Sequence, residues 1–200
     1  MKQFPLIGRI QEKLATGKAP PRDEARAPIA DPSVRSQADW LMEGIRRLAA
    51  EFRSLAGQAG WVPAATREDH LRALLLAYKL TLTASRQREA GPDREVLALV
   101  RLGILRELAD ADTSGNQSRP LLDSADSDIA ASVIRFDAGL PNPLAPFYGD
   151  LAPTFGGPCT TGDLAVRYGR IVRHLYDSLQ KKLDERERAS ASVRYARAGR

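Results

Sequence analysis

Cys159 stands immediately before Thr160-Thr161-Gly162-Asp163, a stretch with the look of a helix start. Backbone N–H groups at a helix N-terminus favour a thiolate, so cysteine in this place has the geometry of a nucleophile. The chemistry needs more than the thiol. A phosphatase-type loop requires an arginine six residues on, to hold the oxyanion, and position 165 is alanine. A cysteine hydrolase requires a histidine base, and nothing in the pattern directs either histidine to that task. Cys159 therefore reads as a loop thiol.

The two histidines, His70 and His174, lie 104 residues apart with no HxxxH, HExxH or CxxC spacing, so they make no metal motif. Both read as surface side chains. Gly17-Lys18 resembles the end of a phosphate-binding loop, but Glu12 and Ala19 occupy the places where that loop needs glycine and Ser/Thr. Asp123, Asp126, Asp128 and Asp137 invite a metal or acid/base reading. Their spacing is neither that of a helical carboxylate bundle nor that of a calcium loop, so they are expected to form a solvated acidic face. The residues supply no catalytic, cofactor or metal set.

Charge gives a better lead. The chain carries a net +5, unevenly spread. Residues 111–163 hold two basic and seven acidic groups, whereas residues 164–200 hold ten basic and four acidic. Arg167, Arg170, Arg173, Lys181, Lys182, Arg186 and Arg188 are the candidate phosphate contacts in that basic region. Two features oppose a nucleic-acid reading. Asp177, Asp184, Glu185 and Glu187 interrupt the run, and pairs such as Asp184 with Arg188 are placed for helix support. Tyr168 and Tyr176, the nearest aromatic residues, are expected to face the core.

The elements that would position these groups follow from hydrophobic period. Aromatic residues are sparse at 6%, so Leu and Ala must build the core, which suits helices. Leu41, Ile45, Leu48, Phe52 and Leu55 step by 4, 3, 4 and 3 and predict a helix over 36–58, started by Ser36 and Asp39. Thr66 and Asp69 start a second helix over 67–90, with Leu71, Leu74, Leu75, Tyr78 and Leu82 inward and Gly91 as its C′ residue. A third, over 93–110, is apolar on most sides and is expected to be the most buried. Its tight Gly91-Pro92 link predicts an antiparallel hairpin with the second. This third helix is too apolar to be a DNA-reading helix.

A polar loop over 111–120 precedes a short helix over 127–137, burying Ile129, Val133, Ile134 and Phe136. The segment "GLPNPLAPFYGDLAPTFGGP" then packs five prolines, four glycines and three aromatics into residues 139–158. Leu144, Phe147, Tyr148, Leu151 and Phe155 argue against a solvated linker and mark this loop as the candidate partner surface, strapped across the core. A last helix begins after Thr160, burying Leu164, Tyr168, Ile171, Leu175 and Leu179, flanked by Val172, Tyr176 and Leu183.

The expected fold is all-α: an irregular bundle of four or five helices with flexible termini. Residues 1–35 read as a flexible Pro-rich leader, 36–185 as one helical domain and 186–200 as a fraying basic tail. No apolar run is long enough for a membrane span, and only Phe4 to Ile7 is apolar near the start, too little for a signal peptide. The expected location is the cytoplasm. The functional expectation is a non-enzymatic interaction or accessory protein that holds a protein partner or itself, with no cofactor. The alternative is a nucleic-acid-associated accessory or regulatory protein using its basic C-terminal arm. An enzyme site assembled from scattered residues is a third class, which local motifs do not address.

Overall fold

A computed structural model describes residues 31–58, 67–88, 91–111, 117–148 and 161–198, with the side chains of 67, 68, 161–165, 167 and 190–198 outside that description. The chain divides into Met1–Asp31 and Pro32–Arg200, and all that follows concerns the second unit. The described residues form five α-helices and no strand: α1 (Pro32–Gln58), α2 (Arg67–Arg86), α3 (Arg94–Ala111), α4 (Ser118–Asp137) and α5 (Thr161–Ala198).

Several boundaries differ from the sequence expectation. Helix α1 begins at Pro32, not at Ser36, because proline is well suited to the first helical position, where its missing N–H has no partner to lose. The leader reading therefore ends earlier, and its residues 1–30 lie outside the described residues. Helix α4 begins at Ser118 rather than 127, and Pro120 is accommodated in its first turn. Helix α5 does not stop near Leu183 but continues through Ala198.

Contacts fix the directions. Met42 lies over Gly103, and Arg46 donates to Glu107 at 2.7 Å, so α1 and α3 run parallel. Arg53 of α1 sits 3.5 Å from His70 near the start of α2, so these two turn back on each other. Between α1 and α5 the pairs run from Trp40 with Arg186 to Phe52 with Tyr168, which makes them antiparallel. The most extensive packing is α1 against α2, then α1 against α3 and α2 against α4. Helix α2 opposes α3 in direction but touches it least of all its neighbours, so the expected hairpin is only loosely packed.

The centre of the bundle is α2, not α3. Every residue from Ala73 to Ser85 is buried, on all sides of the helix. Helix α3 buries only Val96, Val100, Ile104 and Leu108, and leaves Leu102 exposed. The richer apolar content of α3 was misleading because burial follows position: α2 is covered by α1, α3, α4 and α5 together. Gly91 likewise is not the C′ residue of α2, which ends at Arg86. A Cβ there would meet the Ser85 carbonyl oxygen at 2.9 Å, so glycine serves close approach of the link to the helix end. The left-handed C′ glycine is Gly139, after α4, where Leu140 N–H bonds back to the Arg135 carbonyl.

Burying α2 all round submerges polar groups that must be answered. The Lys79 side chain is 3% exposed, and its ammonium donates to Asp128 at 2.6 Å while lying 5.9 Å from the Phe147 ring centre. The Tyr78 hydroxyl donates to Asp126 at 2.7 Å, and Asp126 also accepts from Arg101 Nε of α3 at 2.7 Å. Arg101 reaches Asp123 as well, at 2.6 Å. The expected solvated acidic face is thereby corrected for Asp126 and Asp128, whereas Asp137 is exposed and Asp123 stays 61% exposed while paired with Arg101. Asp123, Asp126 and Asp128 turn toward α2 and α3, since a buried lysine and tyrosine cost much less when hydrogen-bonded.

Two measurements test this centre. Asp128→Ala removes the carboxylate facing a buried ammonium and is expected to cost about 3 kcal/mol in urea unfolding, with much of the loss recovered when Lys79→Met is added. Burial first, then the bond to Asp126, push the Tyr78 hydroxyl far above its ordinary 10.0. An unfolded tyrosine releases its proton near that value while folded Tyr78 keeps it. The unfolded state then binds fewer protons, and stability falls as pH rises past 10. The expected slope is about 1.4 kcal/mol per pH unit for one such tyrosine. Tyr78→Phe should flatten that decline by this amount, with the full contribution retained below pH 10.

Candidate binding face on the long helix

Helix α5 is 38 residues long, about 57 Å at the usual rise, and its apolar stripe decides its orientation. Tyr168, Val172, Leu175, Tyr176, Leu179 and Leu183 are buried, with Ile171 half-buried. Phe52 packs edge-on against Tyr168, and Phe136 stacks on Tyr176 with ring centres 5.3 Å apart.

A polar clamp adds direction to this packing. Arg88, just past the end of α2, donates to the Gln180 side chain at 2.9 Å and to Asp184 at 2.6 Å, and pairs with Glu187 at 2.8 Å. Burial works against its charge, but the bonds from Glu187 and Asp184 outweigh that, so Arg88 is held above its ordinary value. Tyr176 donates to Gln87 at 2.6 Å beside it. Sequence reasoning passed over Arg88. The signal was present in the 4 and 3 spacing of Gln180, Asp184 and Glu187, three acceptors on one helix edge aimed at one donor.

With its inner face so fixed, α5 presents Arg170, Arg173, Asp177, Lys181, Asp184 and Arg188 within roughly 80° of its outer circumference. All six are exposed. Among the described residues, Arg170, Arg173 and Lys181 have no carboxylate at ion-pair distance. The other expected phosphate contacts are placed differently. Lys182 faces Glu51 of α1 at 3.5 Å. The Arg186 guanidinium stacks 3.5 Å over the Trp40 ring, where burial lowers its pKa. Arg188 is engaged within the chain, and the Arg167 side chain lies outside the described residues.

In the proline-rich segment the correction concerns Leu144 and Phe147. Leu144 and Phe147 are 2% and 0% exposed, so the structure uses them as core and leaves nothing of them for a partner. Their depth comes from the turn after α4: Asn142 takes a left-handed φ of 52°, and Ser132 of α4 donates to the Pro143 carbonyl at 2.9 Å. These fix the chain so that a short 3-10 turn over 145–148 drops Phe147 beside Lys79. Tyr148 is half-buried, donates to Asn142 at 3.1 Å, packs edge-on against Tyr168 and lies over Gly169. Burial raises its pKa and the nearby charge of Arg173 works against that rise, so the loop reaches α5 beside Arg173. Leu151, Phe155 and Cys159 lie outside the described residues.

No family model, curated protein or solved structure matches this chain.

The remaining chemistry is quickly placed. Among the described residues no group of three His, Cys, Asp or Glu side chains could hold a metal ion, and no helix is long and apolar enough to cross a membrane. His70 and His174 are both exposed. Phe147→Ala is expected to lower stability by about 3 to 5 kcal/mol in chemical denaturation, the loss typical of a buried aromatic. A surface ring would cost far less, so a loss below about 1 kcal/mol would restore Phe147 as a partner residue.

Proposed function

We propose that this is a non-enzymatic helical binding protein, acting in the cytoplasm, whose recognition element is the outer face of α5. The observation that carries the reading is the contrast between the two faces of that helix. Its inner side is tied to α1 and α2 by Tyr168, Tyr176, Arg88 and Trp40, while its outer side leaves Arg170, Arg173 and Lys181 exposed and, among the described residues, unpaired. The helix also runs on to Ala198, about 22 Å past Leu183, the last buried position among its described side chains.

The recognition surface thus moves from the proline-rich loop, whose Leu144 and Phe147 are core, to the helix on which Tyr148 rests. A diazirine amino acid placed at Lys181 or Arg170 is expected to give crosslinked adducts in living cells, while the same residue at exposed Arg106 of α3 gives none. Equal adducts from all three positions, or adducts from none, would remove α5 from the recognition role.

A further inference from the structure

We infer that the partner of this face is double-stranded nucleic acid, with α5 laid along the sugar-phosphate backbone and Arg170, Arg173 and Lys181 set against its phosphates. The inference rests on the reading of α5 as the recognition element and names what it binds.

Charge is the first support. Of the four carboxylates in residues 164–200, Asp184 and Glu187 are drawn aside by Arg88, which leaves Asp177, between Arg173 and Lys181, and the exposed Glu185. Within the acidic middle of the chain, three carboxylates are already committed elsewhere. Asp123, Asp126 and Asp128 are engaged by Arg101, Tyr78 and Lys79 on the α2 and α3 side of the bundle.

Chemistry separates phosphate from an acidic protein. A protein interface needs a desolvated core of large apolar or aromatic side chains. The exposed large hydrophobic residues of the described structure are Trp40, Leu102, Leu121, Ile134, Leu140 and Val166. Only Val166 belongs to α5, and it precedes the cationic stretch. What the face offers is charge without grease, the composition suited to a backbone contact that carries no sequence information.

Spacing and ring placement choose duplex over single strand. Arg170 to Lys181 covers eleven residues, about 16 Å of helix, against one phosphate per roughly 3.4 Å of each duplex strand. Single-strand binding leans on aromatic platforms for the bases. Here Tyr168 and Tyr176 are buried, and Tyr148 is half-buried with its hydroxyl committed to Asn142.

The test is fluorescence anisotropy of a labelled 20-base-pair DNA duplex of arbitrary sequence, titrated with the full chain. Three phosphate contacts predict a slope of at least about −2.7 in log affinity against log salt, a loss of roughly 40-fold between 50 and 200 mM. Arg173→Ala and Lys181→Ala should each lower the slope by about 0.9, and Arg106→Ala should leave it unchanged, all with wild-type melting curves. Undetectable binding at 50 mM salt overturns the inference. So do a slope indifferent to these substitutions, tighter binding of the matching single strand, and equal competition by polyglutamate per unit charge. Adducts between Lys181 and a protein, without duplex binding, sink this inference alone and leave α5 as the recognition element.

Discussion

Helix α2 is surrounded, and the rest of the structure is arranged around that constraint. A helix covered on every side from Ala73 to Ser85 would be simple to build from leucine and alanine alone. This one carries Lys79, Thr81, Thr83 and Ser85 in the buried stretch. The lysine sets the strongest demand, because an ammonium taken from water needs a carboxylate close by. Asp128 meets it at 2.6 Å, on the flank of the α4 face that also buries Leu122, Ala125 and Ile129. With Asp128 and Asp126 turned to α2, Ile134 is left outward at 65% exposed, although its type alone would place it in the core. The buried stripe of Leu122, Ala125 and Ile129 agrees with that orientation, since helical spacing sets Ile134 on the far side from it.

How much of this was legible follows the same division. The stripes of α1 and α5 were readable because each packs one face and leaves another wet, so period and burial agree: Leu41, Ile45, Leu48 and Phe52 are buried as spaced, as are Tyr168, Leu175 and Leu179. Period fails for a helix with no wet face, and α2 was therefore ranked below α3. The start of α4 was missed for a local reason, since "SRP" reads as loop until proline is allowed in the first turn. Nor could the sequence show that the aspartates of α4 serve as internal counter-ions, because their partners lie 22 to 49 residues away.

The candidate face was half legible. Composition pointed to the cations of the last helix, but not to which of them remain free. That depended on partners from α1 that share no local pattern with α5: Glu51 takes Lys182 and Trp40 takes Arg186. The proline-rich segment misled for the opposite reason. Leu144 and Phe147 are inserted into the core, Phe147 beside Lys79, and not displayed at the surface.

The clamp on α5 also bears on how the chain assembles. Arg88 and Asp184 are 96 residues apart, and Glu51 and Lys182 are 131 apart, whereas α1 and α2 meet through residues as near as 17. Closing the longer loops costs more chain entropy before any contact repays it. Helices α1 to α4 can gather first around the lysine at their centre, and α5 then shuts the bundle as its last stave. Its outer face is accordingly the latest surface to be defined, formed only once the interior has been sealed beneath it.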